Sequence, residues 1–134
     1  MRGMKLAIVI HGAPYSSQAC GTALRFARAA LAAGHSLYRV FFYHDGIHAA
    51  SALRVAPQDE VDDGAGWIAL AETHGVELCV CIAAALKRGL VNAEERARYE
   101  LTAANLHPAF NVVGLGQLID AAATADRFVT FAAP

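Results

Sequence analysis

Val76-Glu77-Leu78-Cys79-Val80-Cys81-Ile82-Ala83-Ala84-Ala85-Leu86-Lys87-Arg88-Gly89 reads as a short apolar strand that runs straight into a helix, with Cys81 at the junction. Residues 82 to 88 are mostly good helix formers. No Ser, Thr, Asp or Asn stands at the junction, so Cys81 occupies the place of the N-cap. The unpaired backbone N–H groups and positive dipole end at such a position favour a thiolate. Free cysteine also packs as a small hydrophobe, and on these residues alone both readings of Cys81 stand. Cys79 shares a strand face with Cys81 if both lie in the strand, and inert packing is the plainer reading for it. A disulfide between the two would need Cα atoms near the upper limit of about 6.8 Å, so a redox pair there would be strained.

Outward from this stretch, strands and helices alternate. Leu6 to Ile10 is a continuous apolar run ended by His11-Gly12-Ala13-Pro14, as expected of a strand buried on both faces of a parallel sheet. Ser16 or Ser17 can cap a helix that stops at Gly34, and Leu37 to Tyr43 is a second strand closed by His44-Asp45-Gly46. A short helical turn is expected from Ile47 to Leu53. The acidic group Asp59, Glu60, Asp62 and Asp63 then opens a helix around Trp67 that ends at Gly75.

Beyond Gly89, Asn92 can cap a helix over Ala93 to Asn105, with Glu94, Glu95, Arg96 and Arg98 exposed and Tyr99 and Leu101 inward. Phe110 to Val113 is a fourth strand, Gln117 to Thr124 a helix, and Arg127 to Phe131 a fifth strand. The expected fold is α/β: one domain over residues 4–131, an open parallel five-stranded sheet with helices on both faces, flavodoxin-like or Rossmann-like. Residues 1–3 would precede it, with Met4 an alternative start to Met1. Such folds bind at the carboxyl ends of their strands, which places His11, Tyr15, Tyr43 and Cys81 at the candidate site.

Composition bounds the function. The 134 residues are 56% hydrophobic, with a mean hydropathy of +0.35, so surplus apolar side chains belong in a core or against a partner. With 11 basic and 12 acidic residues, the chain offers nucleic acid no general attraction, and direct binding is not expected. The apolar run at Leu6 is too short for a signal peptide or a membrane span. Three cysteines without a secretory signal indicate reduced thiols and a cytoplasmic protein. Cys20, inside a helix, reads as packing.

Six scattered histidines and one C-x-C without a second ligand pair make a poor metal site, so no metal is expected. The turn Gly12-Ala13-Pro14-Tyr15-Ser16-Ser17-Gln18 lies where a phosphate could sit, yet it has neither nucleotide-binding glycine spacing, and a plain serine-capped turn explains it.

That turn, together with Val40-Phe41-Phe42-Tyr43-His44-Asp45-Gly46, Cys81 to Gly89, and Gly114-Leu115-Gly116-Gln117-Leu118, resembles in that order the TusD/DsrE sulfur-relay family. The resemblance spans Met4 to Phe131 and is most specific from Cys81 to Gly89. It implies a sulfurtransferase whose persulfide-carrying cysteine, aligned here with Cys81, takes sulfur from a donor protein and passes it to an acceptor, without a cofactor. In the TusD branch this serves 2-thiolation of the tRNA wobble uridine, in a hetero-oligomer with TusB-like and TusC-like subunits; the DsrE branch serves sulfur oxidation. A homo-oligomer is the other assembly it allows. Cys79 falls where the family has another residue, and His11 stands where a small hydroxyl residue is usual, so the resemblance supplies a role for neither. Two rivals remain: a structural subunit in which Cys81 only packs, and a nucleotide-binding flavodoxin-like module.

Overall fold

A computed structural model describes residues 2–133; the choice of Met1 as the start lies outside the described residues. The elements in order are β1 (Lys5–Ile10), α1 (Ala19–Ala32), β2 (Ser36–Phe42), a 3-10 helix (His44–Ala50), α2 (Asp63–His74), β3 (Leu78–Cys81), α3 (Ile82–Lys87), α4 (Ala93–Arg98), β4 (Phe110–Val113), α5 (Gly116–Thr124) and β5 (Arg127–Phe131). The five strands form one open sheet in the order β4-β3-β2-β1-β5, every pairing parallel. This is the expected single α/β domain.

Register explains why the central strands read as unbroken apolar runs. Ile8 aligns with Val40, Val40 with Leu78, and Leu78 with Phe110, so these side chains share one face of the sheet. Val9, Phe41 and Cys79 form the corresponding row on the other. Both rows are buried, which requires cover on both faces. The Ile8 face is covered by α1 and α2. Trp67 of α2, fully buried, meets Phe42 edge-on at 5.8 Å and donates its Nε1–H to the Cys20 carbonyl of α1 at 3.3 Å. The opposite face carries α5, where Arg39 of β2 donates to the Gln117 carbonyl and to Asp120. The chain travels outward from β1 to β4 and then back to β5. Right-handed crossovers therefore place α5 alone on the reverse side.

Several helix ends differ from expectation. The N-cap of α1 is Gln18, without a side-chain cap bond; Ser17 sits one place earlier and accepts from Ala19 N–H at 3.3 Å. The turn expected over Ile47 to Leu53 begins three residues sooner, because Gly46 lets the chain pass close over the end of β1: a Cβ there would lie 2.2 Å from the Ile10 carbonyl oxygen. The helix expected to reach Asn105 stops at Arg98. Glu100 takes a left-handed φ of 52°, and Leu101 N–H closes the end on the Arg96 carbonyl.

Glu94, Arg96 and Arg98 are exposed as expected, but three neighbours depart from expectation. Glu95 is buried, whereas Tyr99 is 55% and Leu101 42% exposed. Early termination turns the last residues off the helix axis, so the apolar side chains no longer follow the inward stripe. Residues 92–104 form an excursion with a tied neck. Asn105 donates its Nδ2–H to the Gly89 carbonyl at 2.8 Å, accepts from Val91 N–H at 2.9 Å, and bonds the Val91 carbonyl through its own N–H. Asn105→Ala leaves the buried Val91 N–H unpaired and should cost about 2 kcal/mol, read from urea denaturation midpoints.

Candidate functional site

Cys81 ends β3 in extended backbone (φ −64°, ψ 121°), serves as N-cap of α3, and is 2% exposed. A direct strand-to-helix transition leaves the first N–H groups of α3 facing the cysteine end, with no side-chain cap bond. The far end of α3 is held by Arg88, which donates to Asp45 Oδ1 at 2.7 Å and to the Ala84 carbonyl at 3.2 Å. The Arg88 charge is thus spent on Asp45 and not on the cysteine, and α3 is fastened to the 3-10 helix.

Cys79 behaves as a packed thiol. Its side chain is wholly buried, and Sγ donates to Glu77 Oε1 at 2.8 Å. Burial pushes this thiol well up, and the Glu77 carboxylate pushes it further. Glu77 in turn accepts from Arg39 Nε at 2.6 Å, and Arg39 reaches Asp120, which also accepts from the Tyr38 hydroxyl. Cys20 is likewise buried, and burial pushes its thiol up to about 12. All three cysteines are free. Iodoacetamide on the native protein should therefore label Cys81 first, with Cys79 and Cys20 labelled only under denaturant; peptide mass mapping reads the order.

The other expected site residues divide. β1, β2 and β3 align Ile10, Phe42 and Val80 in one row; His11 and Tyr43, just past the ends of β1 and β2, and Cys81, the last residue of β3, follow them at the carboxyl edge. The His11 ring meets Tyr43 at 5.9 Å and His44 at 4.7 Å, while Tyr43 stacks on His44 at 4.3 Å. Burial, then the neighbouring His44, lowers the His11 pKa. His44 falls on the edge expected for residues 43–46, and its left-handed φ of 48° leaves no mark in composition or period. Tyr15 lies elsewhere on this edge, with its hydroxyl donating to the Val61 carbonyl at 2.8 Å. Among the described residues no three His, Cys, Asp or Glu side chains cluster closely enough to hold a metal ion.

Four carboxylates are held below their ordinary values. The Arg88 hydrogen bond does this for Asp45, and Tyr38 with Arg39 for Asp120. Burial pushes Asp62 and Glu77 up, but Arg54 and the Ala65 N–H outweigh it at Asp62, as do Cys79 and Arg39 at Glu77. Depressed folded-state values mean that the unfolded chain binds protons first on acidification. Stability from these groups is therefore full above their ordinary 3.8 (Asp) and 4.5 (Glu), and is lost as the pH falls through the lower folded values. Denaturation midpoints across pH 3 to 6, about the range where carboxylates titrate, should drop at the acid end, and less steeply in Asp120→Asn.

A cleft of about 690 Å³ lies at the far end of α3 between Leu53, Leu86, Lys87, Val91, Tyr99 and Leu101. The sequence reading missed it because its walls come from three separate segments. A smaller one of about 410 Å³ lies by Gly12, Ser16, Ser17, Asp45 and His48. No helix among the described residues is long and apolar enough to cross a membrane.

The chain resembles known proteins over nearly its whole length. The model of the DsrE/DsrF-like family matches residues 4–131. The chain is 52% identical over 128 residues to a protein of Pseudomonas aeruginosa named Sulfurtransferase TusD homolog, covering 96% of this chain and 97% of that one. It is 46% identical to the putative sulfurtransferase DsrE of Allochromatium vinosum, over 96% of this chain and 98% of that one. The ychN protein from E. coli superposes with a TM-score of 0.73, covering 96% of this chain and 99% of that one; at 24% identity it speaks for the fold.

Proposed function

The chain belongs to the DsrE/DsrF-like family, whose relatives above are named sulfurtransferases, and from that membership we propose that it is a sulfur-relay sulfurtransferase with Cys81 as the sulfur carrier. The observation that carries the assignment is the position of Cys81, between the end of β3 and the first N–H groups of α3, at the carboxyl edge of the sheet. A thiolate and a persulfide anion are both soft anions, and the same positive potential favours each.

The exchange follows thiol–disulfide logic. The Cys81 thiolate attacks the outer sulfur of a donor persulfide, the donor S–S bond breaks, and the donor leaves as a thiolate. An acceptor thiolate then attacks the outer sulfur on Cys81, and Cys81 leaves as a thiolate. Each step makes one S–S bond and breaks one, so no oxidant, reductant or cofactor enters. At 2% exposure Cys81 requires a local opening, which the docking of donor or acceptor supplies.

The pathway assigned is 2-thiolation of the tRNA wobble uridine, supported by the identity to the TusD homolog. The working assembly is an oligomer in the cytoplasm, with TusB-like and TusC-like chains as subunits, and the tRNA is met by a later enzyme. The similarity to DsrE favours a second reading, a carrier in sulfur oxidation. Incubation with a persulfidated donor tests the assignment: intact mass should rise by one sulfur atom, return on reduction, and return equally on adding an acceptor thiol. No mass gain would leave the structural-subunit reading.

A further inference from the structure

The cleft of about 690 Å³ lies at the opposite end of α3 from the proposed sulfur site: α3 begins after Cys81, and its last residues, Leu86 and Lys87, form one wall of the cleft. At 1.5 Å per residue, those residues stand about 8 to 9 Å along the helix from the cysteine. The other walls are Leu53 on one loop, Val91 at the neck of the 92–104 excursion, and Tyr99 and Leu101 on the excursion itself. The two loops are joined by an antiparallel bridge between Ser51 and Leu106 and by Ala52 N–H on the Asn105 carbonyl at 2.7 Å. The groove is thus braced before anything binds.

Two features define what fits. Leu53 is 73%, Tyr99 55% and Leu101 42% exposed, so the cleft presents large apolar side chains to solvent. Lys87 is the sole ionic side chain in the lining, and among the described residues no carboxylate pairs with it, whereas its neighbour Arg88 is committed to Asp45.

We propose that this groove docks an apolar segment carrying a carboxylate, from the protein that takes sulfur from Cys81. This rests on the sulfur-carrier reading above. The apolar side chains of the segment cover Leu53, Leu86, Tyr99 and Leu101, and its carboxylate pairs with Lys87. The acceptor thiol is thereby brought to the start of the same helix. Electrostatic matching sets which partner is accepted, and the apolar contact sets how long it stays.

The test uses two synthetic amphipathic peptides, each ending in cysteine and identical except that one bears glutamates where the other bears lysines. Binding is read by fluorescence anisotropy on the sulfur-free full chain. Transfer is read by mass after loading Cys81 with inorganic polysulfide. The acidic peptide should bind about tenfold more tightly than the basic one, and Lys87→Glu should reverse the order. Leu101→Ala, at an exposed position, should raise KM for transfer to the acidic peptide with kcat little changed.

A preference unaltered by Lys87→Glu overturns the proposal, as does loss of a self-assembled oligomer in Leu101→Asp by sedimentation, which would give the groove to a second copy of the chain. If Cys81 fails to load while binding still follows the charge at residue 87, the carrier reading fails and the groove stands. If Cys81 loads while binding ignores that charge, the reverse holds.

Discussion

Cys81→Ser should abolish sulfur loading while the fold survives. Serine is nearly the size of cysteine, and at an N-cap it is among the preferred residues, because its hydroxyl can accept from the first N–H groups of the helix. That gain offsets the burial of a more polar side chain, so the change in stability should stay within about 1 kcal/mol. Sulfur loading has no such compensation, since a hydroxyl cannot hold a sulfane sulfur. Wild type, Cys79→Ser and Cys81→Ser, each incubated with a persulfidated donor and weighed intact with and without reductant, should show one reducible sulfur on the first two and none on the third. Cys79→Ser keeps a donor for Glu77 and should load as wild type does. Loading of Cys81→Ser together with failure of Cys79→Ser would move the carrier to the buried thiol and refute the site.

Gly46→Ala should be strongly destabilising for so small a substitution. A Cβ at residue 46 would lie 2.2 Å from the Ile10 oxygen and 2.9 Å from the Ile10 carbonyl carbon, both backbone atoms. That carbonyl already accepts from Tyr43 N–H at 2.9 Å, and Ile10 itself is fully buried at the end of β1. Neither side can retreat without moving the strand or the 3-10 helix, so the loss should be about 3 kcal/mol, or roughly 10 °C in Tm for a domain of this size. The shift would also pull Asp45 from Arg88 and loosen α3 behind the cysteine. Gly114→Ala, where nothing lies within 4 Å of the added carbon, serves as the control and should be near neutral. Equal thermal midpoints for the two variants would disprove the close contact.

What was legible in the chain was whatever local chemistry dictates. The apolar run Leu6 to Ile10 could be satisfied only by a strand covered on both sides, and Gly34 and Gly75 mark helix stops that the structure keeps in left-handed conformations. The strand-to-helix passage at Cys81 was equally local. Glu95 shows where such reading stops. A charge at that position looks exposed by type, yet Glu95, in the first turn of α4, is buried by residues from elsewhere in the chain. The partnership of Cys79 with Glu77, Arg39 and Asp120 was also out of reach, since it joins β2, β3 and α5.

By itself, then, the sequence determined the order and kind of the elements, one α/β domain, and a cysteine at the mouth of a helix, because hydrophobic period, capping residues and glycine stops act over a few neighbours. Only the tertiary structure decided that Arg88 serves Asp45, that His44 closes over His11 and Tyr43, and that Leu53 faces Tyr99 and Leu101 across one groove. Those choices depend on strand order and register, which bring together residues from separate segments of the chain, and no pattern within a single segment carries them.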